Sequence, residues 1–447
     1  MNVVESIKNA GVVGLGGAGF PTHIKLLKKP ETLIVNCAEC EPLLRNDRYI
    51  MRHFADKLVN AIEALNAHFG GINCVFATKA DYREEISALE KAIADKDSSA
   101  EIHLLKGYYP VGDEQMTVYE VTGRTVPPAG LPADIGCTVI NAATLYSVDN
   151  ALSGLPLIKK FVTVTGEVKN PSVIRVPVGT SFSDCVKLAG GALTEDYTVV
   201  SGGPMMGTRM SKEEAQGECV LKTTSGIIIL PREGVISRLA EADIRHIRNR
   251  AASSCIQCSY CTEYCPRHLV GHPLEPHKIM RRLAYAPDIS TLLDDGKIKE
   301  AALCCECGIC ELYACPMGLQ PRAVNSLIKQ MLKERGVCYE KGKGLSAPDD
   351  FREGRLVPTM RAAARAGVSE YYNAVSAESF IDYTPRKVAL YLKQGAGAAA
   401  KPVTAAGDRV KAGELIAKCP ENALGSDLHA SIDGTVKVYA DRITIEG

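Results

Sequence analysis

The chain has 447 residues, which is too long for one compact core and suggests three or four domains. Lysine plus arginine equals aspartate plus glutamate at 52 each, so no net charge favours nucleic acid or an anionic membrane. No apolar run approaches the ~18 to 20 residues that span a bilayer, and the start of the chain does not resemble a signal peptide. The chain has 17 cysteines, nine of them scattered outside two regularly spaced groups, and these features predict a soluble protein of the reducing cytoplasm.

The first part of the chain alternates strands and helices, which favours an open, mostly parallel α/β sheet. A glycine-rich run at residues 11–22 is typical of a turn, but its N–H groups can also cradle a phosphate. A buried strand, Thr32–Asn36, then leads into a polar loop at residues 37–42, where α/β sheets place ligands. Cys37 and Cys40 in that loop could form a redox dithiol or a metal pair, although the loop position already explains them. We predict one helix over residues 50–67.

Short strands replace this alternation from residue 160, followed by a helix that ends at Gly190 and Gly191. Helical patterns return at residues 234–250, 276–285, 289–303 and 322–334, and they surround two cysteine-rich loops. The last 61 residues again have a β-pattern. No lysine occurs between Lys418 and Lys437, so we do not expect this tail to carry a covalently attached swinging cofactor.

The two cysteine-rich loops repeat one spacing. Each has three cysteines three residues apart and a fourth cysteine just before Pro266 or Pro316. Bacterial ferredoxins hold [4Fe-4S] clusters in this way, and the fourth cysteine usually binds the other cluster. We therefore assign one cluster to Cys255, Cys258, Cys261 and Cys315, and the other to Cys304, Cys307, Cys310 and Cys265.

Other interpretations of this segment stay open. Structural zinc tends to use two separated pairs of ligands, and disulfides do not suit a reducing compartment. Cys305 beside Cys304 permits a register shifted by one residue. His268, His272 and His277 follow the first loop, where surface or hydrogen-bonding roles are expected and cobalt ligation is the alternative.

Several motifs resemble known families. G-L-G-G-A-G-F-P-T-H, N-C-A-E-C-E-P, Y-P-V-G-D-E-Q, P-P-A-G-L-P and I-N-A-A-T resemble the FMN- and NADH-binding domain of the respiratory complex I flavoprotein. V-T-G-E-V-x2-P resembles the SLBB (soluble ligand binding β-grasp) module, and A-S-I-D-G-T-V resembles the barrel-sandwich fold of lipoyl and biotinyl carriers. Over nearly its whole length the chain resembles the RnfC-like flavo-iron-sulfur family, and within it the PduS-type cobalamin reductases of propanediol utilisation. The gap of four residues between Cys310 and Cys315 and the C-terminal position of the barrel-sandwich domain also resemble that type.

The resemblance implies the following residues for the flavin and nicotinamide sites. They are Gly16, Gly17, Gly19 and Lys25 along the FMN, Asn36 and Glu39 near the flavin ring, Gly112, Glu114, Asn141 and Thr144 completing the pocket, and Phe20 and Glu41 facing the nicotinamide nucleotide. Ala38, Cys40 and Ala142 depart from the complex I flavoprotein, which has an acid, a serine and a second asparagine at the matching positions.

The resemblance also implies a multidomain α/β and α+β fold. Its parts are an open α/β FMN and NADH domain (1–155), an SLBB β-grasp domain (156–232), a helical, ferredoxin-like domain with two [4Fe-4S] clusters (233–341), a connector (342–385) and a C-terminal barrel-sandwich domain (386–447). The SLBB domain is expected to be a packing module, with cobalamin binding as the alternative.

The function implied by the resemblance is NADH-dependent electron transfer, a role that needs no catalytic acid or base. A nicotinamide delivers two electrons, a cluster accepts one, and FMN converts between the two. The acceptor is corrin cobalt, as in cobalamin reductases, or a redox partner protein such as an adenosyltransferase, in the cytoplasm or inside a bacterial microcompartment. The alternatives are an RnfC-like protein that donates to another reductase complex and a scaffold with structural clusters. An oligomer is compatible with each of these functions.

Overall fold

The computed structural model describes residues 2–240, 242–342, 346–376 and 378–447. Its N-terminal part contains a four-stranded parallel sheet with the strand order β3-β2-β1-β5. The strands of this part are β1 (Thr32–Asn36), β2 (Asn73–Lys79), β3 (Glu101–Leu105), β4 (Tyr108–Tyr109) and β5 (Cys137–Asn141).

The middle of strand β1, residues 33–35, is apolar because both faces of the sheet are covered. Leu33 and Val35 belong to one hydrophobic cluster and Ile34 belongs to another. Strands β1 and β5 pair in register, so that Asn36 lies opposite Asn141. Both residues end their strands, and the carboxyl edge of the sheet therefore carries two amide side chains side by side.

The prediction of one helix over residues 50–67 was wrong. The chain forms two helices, Asn46–His53 and Ala55–Phe69, and Phe54 between them has non-helical φ and ψ of −137° and 30°. The Phe54 ring packs against the rings of Tyr146 and Phe161, with centroids 5.1 and 5.9 Å away. This packing comes from residues distant in sequence, which the local helical pattern does not reveal.

The next part is a mixed sheet with one helix, Phe182–Leu188, packed on it. Its buried apolar side chains form a core of their own. A further strand, Phe380–Asp382, joins this sheet from far along the chain by pairing with β7. The strands are β6 (Lys159–Gly166), β7 (Ser172–Pro177), β8 (Tyr197–Ser201), β9 (Thr208–Ser211) and β10 (Gly226–Pro231).

The cysteine-rich part is helical, as predicted, and two of the predicted helices are confirmed as Pro276–Tyr285 and Pro321–Glu334, but the other two are interrupted. The region predicted as a helix at 234–250 contains Val235–Ala240 and Ile244–Ser254, and residue 241 lies outside the described residues. Residues 289–303 form short turns in place of one helix, because the side chains of Asp288 and Asp295 accept backbone N–H groups and start new turns. The core of this part lies between three helices, Ile244–Ser254, Pro276–Tyr285 and Pro321–Glu334.

Residues 346–376 and 378–385 run back over the earlier parts of the chain. Strand β11 (Val357–Pro358) pairs with β4, and strand β12 (Phe380–Asp382) pairs with β7. The segment predicted as a connector therefore supplies strands to two other sheets. The domain boundaries themselves stay a prediction.

The C-terminal part consists of two small sheets, with the orders β13-β19-β18-β15 and β14-β16-β17. They enclose one apolar core, as expected for a barrel-sandwich domain. The strands are β13 (Lys387–Tyr391), β14 (Lys401–Pro402), β15 (Arg409–Val410), β16 (Leu415–Lys418), β17 (Leu428–His429), β18 (Gly434–Val438) and β19 (Arg442–Glu446).

The remaining helices and helical turns lie mostly at the sheet faces and near the cysteine-rich loops. They are Val3–Asn9, Thr22–Lys25, Arg83–Asp95, Glu114–Thr122, Pro132–Ile135, Ala142–Leu152, Lys212–Ala215, Tyr260–Glu263, Pro266–Leu269, Ile309–Ala314, Arg352–Arg355, Thr359–Arg365 and Ser369–Tyr371. Within the described ranges, none of the helices is both long enough and apolar enough to cross a membrane.

Candidate flavin and iron-sulfur sites

The glycine-rich run lies at the carboxyl edge of the parallel sheet. The Thr144 hydroxyl accepts a hydrogen bond from the Leu15 N–H at 2.9 Å. A side chain at Gly16 would come within 3.0 Å of the Asn141 amide carbon. Gly17, in contrast, has no atom within 4 Å of where a Cβ would be, and residues 16–18 are exposed. The loop thus presents bare backbone beside the two asparagines of the sheet edge.

Two contacts between residues predicted for the flavin site complete this edge. The Asn36 amide donates to the Gly112 carbonyl at 2.8 Å. The Lys25 ammonium contacts the Glu114 carboxylate at 2.6 Å, and both side chains are partly exposed. These contacts fit FMN, because an uncovered glycine backbone and a lysine offer donors for a phosphate while asparagine amides suit the polar edge of a flavin.

A buried polar cluster lies behind the glycine-rich run, and of its charged members only Glu39 was predicted from the sequence. Glu39 accepts hydrogen bonds from the N–H groups of Asp47 and Arg48 at 3.0 and 3.1 Å. The Asp47 carboxylate accepts one from the Asn141 amide at 2.6 Å. Burial raises the pKa of both carboxyl groups, and the charge of Glu39 raises the pKa of Asp47 further. Buried Lys160 donates to the Leu15 carbonyl at 3.1 Å, and burial lowers the pKa of its ammonium to about 8.

Three predicted residues, Gly19, Phe20 and Glu41, lie outside this buried polar cluster. Gly19 packs tightly, since a Cβ there would come within 2.7 Å of Thr223. The carbonyl of Phe20 accepts from the N–H of Gly14, and the ring of Phe20 is partly buried. Glu41 is held by the loop at residues 202–207 of the SLBB part, as described next.

Glu41 joins three parts of the chain. Its carboxylate accepts hydrogen bonds from the N–H groups of Met205 and Met206 at 3.0 and 2.9 Å and from the Tyr109 hydroxyl at 3.2 Å. The Tyr109 hydroxyl also donates to the Cys307 carbonyl at 2.7 Å. Burial raises the pKa of Glu41 to about 7. The flavin part, the SLBB part and the second cysteine loop therefore meet at one buried hydrogen-bonded junction.

The second predicted set of cysteines lines one cavity. Its walls include Cys265 from the first loop together with Cys304, Cys307 and Cys310 from the second, so the structure brings together the set that the spacing predicted. All four are buried. Cys305 also lines this cavity, and the choice of Cys304 over Cys305 as a ligand therefore still depends on the spacing.

The first predicted set also lies together. Burial raises the pKa of the Cys261 thiol to about 12, and the nearby thiols of Cys315, Cys255 and Cys258 raise it further. Such mutual repulsion suits a cluster, because its iron ions supply the positive charge that several neighbouring thiolates need. These four cysteines are only partly buried, in contrast to the second set.

Backbone and side-chain donors surround the cysteines. The Glu306 N–H donates to the Cys304 sulfur and the Leu319 N–H to the Cys315 sulfur, both at 3.3 Å. Asn325 lines the cavity of the second set and is 1% exposed, yet neither of its amide atoms has a full hydrogen bond. Such donors tune the reduction potentials of iron-sulfur clusters.

Among the described residues, no three His, Cys, Asp or Glu side chains converge closely enough to hold a single metal ion. A cubane does not require this convergence, because each thiolate binds a different iron. Of the three histidines, His272 hydrogen-bonds to the Val126 carbonyl at 2.9 Å and His277 to the Thr262 hydroxyl at 2.7 Å. Both contacts are hydrogen-bonding roles of the kind expected from the sequence.

Known protein families match each part of the chain. The Nuo51 FMN-binding domain matches residues 7–150, the SLBB domain 161–209, the 4Fe-4S dicluster domain 254–320 and the RnfC barrel sandwich hybrid domain 365–447. Cobalamin reductase PduS of Salmonella typhimurium is 37% identical over 98% of this chain and 94% of its own length, and that of Citrobacter freundii is 36% identical with the same coverage. This chain belongs to the PduS-type group of the RnfC-like flavo-iron-sulfur family.

Another member of the RnfC-like family matches less of the chain. It is one component of the Na(+)-translocating ferredoxin:NAD(+) oxidoreductase complex of Acetobacterium woodii, and it is 37% identical over 60% of this chain and 58% of its own length. The family assignment confirms the predicted fold class, the FMN and the two [4Fe-4S] clusters as cofactors, and flavo-iron-sulfur electron transfer as the function. The individual ligand residues stay a prediction.

Proposed function

We propose that this oxidoreductase takes electrons from NADH and passes them through FMN and two [4Fe-4S] clusters to the cobalt of a corrinoid. The observation that carries the proposal is the similarity to cobalamin reductase PduS over nearly the full length of both chains. When bound, FMN accepts a hydride and releases its electrons one at a time. We assign the cluster ligands as Cys255, Cys258, Cys261 and Cys315 for one cluster and Cys304, Cys307, Cys310 and Cys265 for the other.

The residues of the sheet edge would hold the flavin. Gly16 and Gly17 leave room for it, Lys25 offers a cation to its phosphate, and Asn36 and Asn141 orient the ring. Glu39 and Asp47 fix Asn141 from behind. Because these groups are already hydrogen-bonded to one another, they need little rearrangement when the flavin binds.

The junction around Tyr109 would set the separation between flavin and clusters. The loop at residues 37–41 extends from the flavin edge, and Tyr109 links its Glu41 to the backbone of Cys307. The rate of electron transfer falls exponentially with distance, so a fixed short path favours transfer. Buried Arg267 pairs with Asp113 at 2.9 Å and holds the first cysteine loop against the same part of the chain.

Flavin binding is tested by Gly17→Ala. A methyl group at Gly17 would meet no protein atom within 4 Å, so the fold should persist while FMN affinity falls at least tenfold. Gly217→Ala is the matched control, since Gly217 also has no atom within 4 Å of a Cβ and lies in the SLBB part. Equal FMN affinity in both variants would refute the placement of the flavin.

The complete reaction is tested under strict exclusion of oxygen. Protein reconstituted with FMN, iron and sulfide is mixed with NADH and cob(III)alamin, and cobalt reduction is followed by absorbance. We expect reduction that is lost in Gly17→Ala and in Cys307→Ser. Flavin reduction by NADH without any cobalt reduction would refute the corrinoid as acceptor and support the second candidate.

That second candidate is donation to another protein reductase. The similarity to a component of the ferredoxin:NAD(+) oxidoreductase complex favours it, although that match covers only 60% of this chain. In that case NADH would still reduce the clusters, and a protein acceptor would reoxidise them while cobalamin would not.

A further inference from the structure

The two cysteine sets differ in their access to solvent. Cys265, Cys304, Cys307 and Cys310 are buried, whereas Cys255, Cys258, Cys261 and Cys315 are partly exposed. Cys307 adjoins Tyr109 of the flavin part, and a side chain at Gly308 would come within 3.0 Å of the Met205 carbonyl. The buried set therefore lies at the junction with the flavin part and the SLBB part, and the exposed set is the one that an outside partner can approach.

The two sets are close enough for electrons to pass between them. The turn Tyr260–Glu263, which contains Cys261 of the exposed set, packs against Ile309–Ala314, which contains Cys310 of the buried set, and the rings of Tyr264 and Tyr313 beside them have centroids 5.5 Å apart. The direct route from the flavin part to the surface thus runs through the buried set and then the exposed set.

The surface around the exposed set combines apolar and basic groups. Ile256, Tyr260 and Met317 are 62%, 44% and 37% exposed, and each lies within two residues of one of the four cysteines. Helix Ile244–Ser254 leads into Cys255 and contains three arginines and no acidic residue. Apolar contact with a charged rim is typical of sites that dock a partner through steering and brief contact.

One of the basic residues, Arg250, lies beside the apolar ones in space as well as in sequence, and Arg245 and Arg248 extend the basic surface along the same helix. The Arg250 guanidinium donates to the carbonyls of Met317 and Gly318 at 2.8 and 3.1 Å, which ties the helix to the second loop. Arg245 on the same helix is exposed, and Arg248 is partly exposed. Of the nearby carboxylates, Glu263 pairs with Arg355 at 2.7 Å, while Asp243 caps the start of the helix and Asp288 lies near Arg248; three arginines against these last two leave an excess of one positive charge.

We propose that the cluster of Cys255, Cys258, Cys261 and Cys315 is the electron exit, and that the surface of Ile256, Tyr260, Met317 and the arginines of Ile244–Ser254 docks an acidic redox protein. Each encounter passes one electron to the oxidised centre of that partner, and no bond is made or broken. This inference deepens the proposed function, on whose electron path it depends, by naming where electrons leave and the charge of the protein that holds the corrinoid or other accepting centre.

The test uses two haem proteins of opposite charge as probes, namely the acidic soluble domain of cytochrome b5 and the basic mitochondrial cytochrome c. The holoprotein is reduced with dithionite, freed of it, and mixed with either oxidised probe in a stopped-flow instrument. Because no NADH or corrinoid is used, failure of the proposed reaction would not affect this experiment. Binding of the oxidised acidic probe to the oxidised holoprotein is measured separately by calorimetry.

We expect the acidic probe to be reduced faster than the basic probe at low salt, and the rate for the acidic probe to fall as the salt concentration increases. The double variant Arg245→Glu and Arg248→Glu should lose at least tenfold in both rate and affinity at low salt and approach the parent at high salt. The control is Arg83→Glu with Lys91→Glu, which reverses two exposed charges on a helix of the flavin part and should change neither.

Two results would overturn the proposal. One is equal affinity of the parent and the Arg245→Glu, Arg248→Glu variant for the acidic probe. The other is faster reduction of the basic probe at low salt. Should the double variant lose iron, Arg245→Glu alone and Ile256→Asp serve instead, because both residues are exposed and neither is a cluster ligand.

Discussion

The buried amide of Asn325 is expected to tune the cluster of Cys304, Cys307, Cys310 and Cys265. The side chain lines the cavity of these cysteines, is almost fully buried, and leaves both amide atoms without a full hydrogen bond in the protein. A buried unpaired amide is costly, so a cluster sulfur is the natural acceptor for its N–H group. Burial raises the pKa of the Cys304 thiol, and the Asn325 amide acts in the opposite direction, as expected for a donor near that sulfur.

Removal of this donor by Asn325→Leu should lower the midpoint potential of that cluster. A hydrogen bond to a charged acceptor contributes about 1.5–3 kcal/mol, and we take the difference between the reduced and oxidised cluster as about 1 kcal/mol. For one electron, a tenfold change in an equilibrium constant corresponds to about 59 mV, so about 1 kcal/mol corresponds to about 40 mV. The measurement is a redox titration followed by electron paramagnetic resonance of the holoprotein.

The controls separate tuning from packing. Asn325→Asp keeps the shape but can add a negative charge, and should lower the potential further. Asn249→Leu changes an exposed asparagine and should leave the midpoint potential unchanged. An unchanged potential in Asn325→Leu, together with a more stable protein, would show that the amide is a buried polar group with no acceptor, and the reasoning would be refuted.

Three further predictions concern stability. Arg267→Met should leave the Asp113 carboxylate with only the backbone N–H groups of Gln115 and Met116 as donors and lower the free energy of unfolding by about 1.5–3 kcal/mol, seen as a fall in Tm that Asp113→Asn partly reverses. Gly203→Ala should destabilise strongly because its Cβ would lie 2.1 Å from a buried carboxylate oxygen, whereas Gly217→Ala should not change Tm. Burial lowers the pKa of His429 from 6.5 to about 4, so between these pH values the unfolded chain binds more protons than the folded one. The free energy of unfolding should therefore fall by about 3 kcal/mol from pH 6.5 to pH 4. An equal fall over this pH range in His429→Gln would contradict this prediction.

The spacing of the cysteines carried most of the information about the clusters. The pairing of Cys265 with the second loop follows from a repeated local pattern, and the structure brings that set together. The asparagines at the ends of β1 and β5 were predicted from the family resemblance, and the structure places them at one edge because parallel strands bring their carboxyl ends together. Local spacing is a property that a sequence displays directly.

Contacts between distant parts of the chain were not accessible in this way. No local pattern indicates that Lys160 is buried beneath the glycine-rich run, or that Glu41 accepts hydrogen bonds from Met205 and Met206. Resemblance placed Glu41 toward a nicotinamide, whereas the structure surrounds its carboxylate with three donors, two of them from the SLBB part. Such contacts depend on how separate cores pack together, which periodicity within one segment does not determine.

These contacts also bear on what the SLBB part does. Its loop at residues 202–207 holds Glu41 and lies against Gly308, and its Arg209 pairs with buried Glu311 at 3.4 Å beside the second cysteine loop. This face of the SLBB part is therefore occupied by the flavin and cluster parts. Because transfer rates depend exponentially on distance, a module that fixes this junction aids electron transfer without binding a ligand of its own. The packing role expected from the sequence thus has a physical function, and a corrinoid would have to bind away from residues 202–207.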